Sequence, residues 1–171
     1  MRGLPPTPEI PRYGDGSPEI SAIRELPGPV GERNLYRVNP RGRVLLLPAT
    51  GEGLAQQLAA INATVNRPVL PKSHQSLADG MHVDALELIE WVDDWEAAPP
   101  FAQVLVEDPG PSDWEGIVPI LTAIAAKEGR IPIVQLGSAE RPYRTDWLLE
   151  EQSISIDTTA AGGNASLMAV A

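Results

Sequence analysis

Apolar and polar positions follow two different rhythms along this chain. Short continuous apolar runs predict strands buried on both faces. Arg43–Pro48 holds Val44, Leu45, Leu46 and Leu47 in succession, and Phe101–Val106 and Ile131–Leu136 are similarly dense. Pro68–Leu70 is a shorter piece of the same kind. Between these runs the period becomes helical. Thr50 stands where it can cap a helix over Gly51–Val65, with Leu54, Leu58 and Ile61 on one side. Ser112 and Glu115 have capping-box spacing ahead of Ile117, Val118, Ile120, Leu121, Ile124 and Ala125, and Gly129 supplies a stop. Pro119 either kinks this second helix or marks a second start. Ser76–Gly80 predicts a helical turn. Leu86–Val92 fits both periods and is read as a strand, on the regular succession of strands and helices. Alternation appears at Leu35–Val38, expected as an edge strand, and at Ser153–Asp157, where Ile154 and Ile156 oppose Ser153, Ser155 and Asp157. Strand, helix, strand, repeated, predicts an α/β fold: a Rossmann-like, mostly parallel sheet with helices on both faces.

The two ends break this rhythm. Eight of the 18 prolines lie in Met1–Pro40, which excludes a long helix there. Residues 1–25 read as a Pro/Gly-rich linker, 26–157 as the Rossmann-like domain and 158–171 as a tail. A short helical turn is expected after Ser17, with Pro18 first and Ile20, Ile23 and Leu26 on one face. Leu26–Asn34 reads as a stiff loop around Pro27, Gly28 and Pro29, with Glu32 and Arg33 as an exposed ion pair or as docking groups. Trp147–Glu150 leads into the final strand. The tail is almost uncharged, with Gly162, Gly163 and Asn164 as a breaker and Leu167, Met168 and Val170 as an apolar finish. Such a segment is expected to be buried, in its own domain or in a partner.

Composition narrows the function classes. With 23 acidic and 13 basic residues the formal net charge is -10, which disfavours nucleic acid and anionic membrane surfaces as partners. There is no cysteine, hence no disulfide frame, no thiolate metal site and no cysteine nucleophile in this chain. No stretch approaches the roughly 18 apolar residues of a membrane span, and Met1–Pro11 lacks the apolar segment of a secretory signal. A cytoplasmic location is the default expectation.

A search for chemistry leaves little. Thr50, Gly51, Glu52 and Gly53 follow an apolar strand, as a dinucleotide-binding turn would, but a third glycine is missing and Glu52 would repel a pyrophosphate. This turn and Gly137–Ser138 are read as plain connections. His74 and His82 have no helical pairing and read as surface residues. Asp93, Asp94 and Glu96 beside Trp91 and Trp95 read as a solvated acidic turn anchored by tryptophans, with a divalent-ion site as the alternative. Arg141 and Arg144 pair with local acids such as Glu140 and Asp146, or bind an anion. No catalytic, cofactor or metal residue is assigned.

Two motifs carry a resemblance. Ile156–Met168, read I-D-T-T-A-A-G-G-N-A-S-L-M, resembles the end of the bifunctional proline utilisation flavoenzymes, and Leu26–Asn34, read L-P-G-P-V-G-E-R-N, resembles the segment ahead of their last domain. Asp157 departs from the family pattern, which has Asn there. The resemblance covers about Leu26–Ala171. It implies a degenerate, aldehyde-dehydrogenase-like domain without catalysis of its own. That domain would cover an internal tunnel between a proline dehydrogenase module and a glutamate semialdehyde dehydrogenase module. By the same analogy Thr158, Thr159, Ala160, Ala161, Gly162, Gly163, Asn164, Ala165, Ser166, Leu167 and Met168 are docking residues of the tail, and Pro29, Gly31, Glu32, Arg33 and Asn34 dock through the loop. The parent would be a bacterial cytoplasmic oxidoreductase, at most peripheral to the inner membrane. It would carry FAD and NAD outside this chain, and its catalytic modules would be the partners, in cis or in trans. Two other classes stand beside this reading: a stand-alone Rossmann-like nucleotide binder, and a self-assembling module with exchanged tails.

Overall fold

The computed structural model describes residues 20–81, 86–110 and 114–157. Two sheets organise them. The larger is five-stranded and parallel throughout, built from β3 (Arg43–Leu47), β4 (Arg67–Pro71), β5 (Glu90–Val92), β6 (Gln103–Glu107) and β7 (Ile133–Gly137) in the order β5-β4-β3-β6-β7. The chain leaves β3 toward β4 on one side and later returns beside it as β6, so the order reverses between β3 and β6. Helices α1 (Gly51–Thr64) and α2 (Trp114–Ala126) lie on opposite faces. Val44, Leu46, Leu70 and Leu105 pack with Leu54, Leu58 and Ile61 of α1. Leu45, Leu47, Val69, Val104 and Val106 pack with Ile117 and Ile124 of α2. The unbroken apolar runs are thus explained: successive side chains enter two cores, and a polar residue at either parity would lose its water.

The smaller sheet is an antiparallel ribbon of β1 (Arg24–Leu26), β2 (Glu32–Pro40) and β8 (Leu149–Asp157), with β2 in the centre. It joins the larger body at its base, where Val38, Leu148 and Leu149 are buried and the Arg41 N–H donates to the Leu148 carbonyl at 3.2 Å.

Several expectations from the pattern are corrected here. Leu35–Val38 belongs to a nine-residue central strand, because β1 and β8 pair with it on both sides. The helical turn expected to reach Leu26 gives way to strand at Arg24–Leu26; the turn at residues 27–31 folds this segment back onto β2. Accordingly Glu32, Arg33 and Asn34 are strand residues. The final strand begins at Leu149, earlier than its apolar alternation, since backbone pairing with β2 carries the polar residues Glu150, Glu151 and Gln152 along. Residues 86 and 87 are helical and only Glu90–Val92 is strand. Pro119 lies inside one continuous α2. The turn expected at Ser76–Gly80 is a 3-10 helix over Lys72–Ala78, followed by a turn. Ser112, the expected cap of α2, lies outside the described residues, as do His82 and the whole 158–171 tail.

Candidate functional site

The ribbon gathers the residues that the two motifs singled out. Pro29 and Gly31 form the turn at its tip, with Gly31 at a φ of 93° that favours glycine. The Glu32 N–H closes that turn onto the Pro29 carbonyl at 3.1 Å. Glu32, Arg33 and Asn34 then pair with Asp157, Ile156 and Ser155. The loop motif therefore lies directly beside the three residues that precede Thr158. Arg33 does not pair with Glu32; successive strand residues point to opposite faces. Its guanidinium meets Glu25 of β1 through two 3.2 Å hydrogen bonds. Asn34 Oδ1 accepts from the Ser155 hydroxyl at 2.5 Å on the other face.

The ribbon has more apolar surface than it can bury. Leu35 lies opposite Ile154, and Arg33 opposite Ile156, so these side chains share one face. Ile154 and Ile156 are each 41% exposed, and Val30 at the tip is fully exposed. The other edge of β8 faces no strand among the described residues. A nine-residue edge of this kind presents a row of backbone donors and acceptors to any chain laid alongside it.

A second location is the crevice where the strand order reverses, at the C-terminal ends of β3 and β6. In open parallel sheets this is where ligands sit. Thr50 caps α1 as its position predicts: its Oγ1 accepts from the Gly53 N–H at 2.9 Å. The crevice itself is filled by Glu107, the last residue of β6. Its Oε2 accepts from the Ala49 and Thr50 N–H groups at 2.7 and 2.8 Å, and its Oε1 accepts from the Thr50 hydroxyl at 2.8 Å. Gly53 leaves the room for this, since a Cβ there would overlap the carboxylate. Glu52, held responsible in the sequence for repelling an anion, instead accepts from Gln56 one turn along the helix. Glu107 escaped the sequence reading, although an acid ending the apolar run of β6 was the available signal.

The remaining candidates make the following contacts. Arg141 pairs with Asp108 at 2.6 Å and Arg144 with Asp146 at 2.5 Å, so Glu140 is not the partner of Arg141. Arg144 holds the Asp146 carboxyl below its ordinary range. Asp93 meets Lys72 at 2.9 Å, and Asp94 Oδ1 accepts from the Glu96 N–H at 2.8 Å. Trp91 and Trp95 pack against opposite cores. Partial burial lowers the pKa of His74. No group of three acidic or histidine side chains placed to hold a metal is found among the described residues. Nor is any described helix long and apolar enough to cross a membrane.

Comparison with known proteins adds the lineage. The chain is 44% identical over 175 residues to the bifunctional protein PutA of Rhizobium meliloti, covering 95% of this chain and 14% of that protein. It is homologous to a segment of PutA. The PutA of Escherichia coli K12 is 34% identical over 163 residues, covering 93% of this chain and 12% of that protein. The chain therefore spans only a small part of these PutA proteins. No family model matches. Among solved structures, a proline utilization A with proline bound in remote sites superposes with a TM-score of 0.51 at 20% identity, over 70% of this chain and 14% of that one. That likeness bears on the fold alone.

Proposed function

We propose that this chain is a non-catalytic lid and assembly domain of a bifunctional enzyme that oxidises proline to glutamate by way of pyrroline-5-carboxylate. The observation that carries the reading is the ribbon: a long antiparallel sheet with an edge that no described strand pairs and with exposed isoleucines, its last strand preceding the uncharged 158–171 segment in the sequence. Homology to PutA along 95% of the chain supports it. In this reading FAD and NAD belong to other modules of the parent, which is cytoplasmic, and those modules are the partners. The domain covers the passage between the two active sites. Thr158–Met168 seat on the dehydrogenase module, where Gly162 and Gly163 permit close backbone approach and the absence of charge helps exclude water.

The test is complementation in trans. The purified chain is mixed with a proline-oxidising PutA that lacks the homologous segment, and NADH formation from proline is followed. The reading requires a gain in rate and a shorter lag, both lost when residues 158–171 are deleted. No gain and no co-elution would sink it.

A further inference from the structure

We infer that Glu107 is a resident anion, occupying the place where a bound phosphate would sit and closing the strand-switch crevice to nucleotide phosphates. The inference goes beyond the lid reading and does not depend on it. Three observations carry it. The carboxylate lies in the crevice between β3 and β6, the location that the topology of an open parallel sheet reserves for a ligand. It takes both N–H groups of the Ala49–Thr50 turn and the Thr50 hydroxyl, the mixture of backbone and hydroxyl donors that cradles phosphate oxygens in such turns. Gly53 supplies a glycine where a Cβ would collide with that carboxylate. The glycine turn read from the sequence thus has an anion to serve, and the anion comes from the same chain.

Charge around the crevice points the same way. Asp108 follows Glu107, and its own carboxylate takes up the guanidinium of Arg141 at 2.6 Å. The guanidinium of Arg141 is thereby neutralised. Glu52 sits in the first turn of α1. An incoming phosphate meets carboxylates here and finds the turn's donors already engaged.

The test asks whether an external anion can replace the internal one. The full 171-residue chain and three variants, Glu107→Ala, Glu107→Ser and the double variant Gly53→Ala/Glu107→Ala, are melted in inorganic phosphate and in chloride of equal ionic strength. The wild type should melt at the same temperature in both. Glu107→Ala should melt lower in chloride and recover roughly 3 °C in phosphate, with affinity on the order of millimolar. The double variant should lose that recovery, because the added Cβ fills the cradle. Equal phosphate stabilisation of wild type and Glu107→Ala, or none specific to Glu107→Ala, would overturn the inference. If Glu107→Ala folds in neither buffer, Glu107→Ser, which also empties the cradle, decides: a phosphate-specific rise supports the resident-anion role, and its absence refutes it.

Discussion

The two sheets of this protein differ in what they need from outside. The parallel sheet is self-sufficient: Val44, Leu45, Leu46, Val104 and Leu105 have no exposed surface, and α1 and α2 supply a core on each face. The antiparallel ribbon is open: of the nine residues of β8, seven are exposed, only Leu149 is buried, and its outer edge faces no described strand. Buried apolar area stabilises the first, at about 25 cal/mol per Å². The second is held by backbone pairing and surface polar contacts, which contribute modestly. A segment that contributes little to stability yet keeps exposed isoleucines is better suited to meeting a partner than to supporting the fold.

The contrast can be broken by substitution. Truncating Leu105→Ala, at a site with no exposed surface, should cost about 2–5 kcal/mol in urea unfolding. If the ribbon is an outward-facing element, Ile154→Thr with Ile156→Thr should cost less than about 1 kcal/mol. The same pair should weaken co-elution with a PutA lacking the homologous segment by tenfold or more, about 1.4 kcal/mol of binding. A large stability loss in that pair would mean the ribbon is core after all.

The α1 side of the parallel sheet makes a pH-dependent contribution through Tyr143. Burial pushes the Tyr143 hydroxyl up to about 12 from 10.0. It donates to the Val106 carbonyl at 3.0 Å and accepts from Gln57 Nε2 at 2.9 Å. Because the folded pKa is raised, its stabilisation is complete below pH 10.0 and is lost as pH climbs toward about 12. Chemical unfolding across that window should show an additional loss in the wild type that Tyr143→Phe lacks.

Smaller effects sharpen the picture. Val65 terminates α1 at a φ of 55°, a left-handed conformation that a β-branched residue adopts under strain, and its side chain is exposed. Val65→Gly should therefore stabilise the chain by about 0.5–1 kcal/mol, readable as a rise in Tm. The smallest change is expected at Glu90, whose carboxyl is held below its usual 4.5 by a hydrogen bond from Arg43. That stabilisation is present above pH 4.5 and fades as pH falls below it. Since Glu90 is partly exposed, Glu90→Gln should flatten the acid limb of a pH–stability curve only slightly.

The same contrast decided what could be read in advance. The parallel sheet was legible because strands such as Arg43–Leu47 and Gln103–Glu107 must be apolar at nearly every position, and α1 because Thr50 and the spacing of Leu54, Leu58 and Ile61 agree. The ribbon was only half legible. Alternation marks only Leu35–Val38 and Ser153–Asp157, and the rest of Glu32–Pro40 and Leu149–Gln152 owe their extended form to pairing between distant segments. Of the two readings for Glu32 and Arg33, the ion pair fails for that reason, since the Glu25 contact of Arg33 exists only once β1 lies beside β2. Glu107 was missed because its role depends on a crevice made by two strands far apart in sequence.

The pairing of β2 with β8 also orders events during synthesis. Arg37 and Gln152, hydrogen-bonded across the ribbon, are 115 residues apart, and every strand of the parallel sheet is translated between them. At typical elongation rates β2 waits on the order of ten seconds for its partner. The ribbon therefore closes only after the last strand of the core has left the ribosome. A chain truncated before β8 has no β2–β8 ribbon, so under the proposed docking role only copies whose translation has passed that point would be competent to dock.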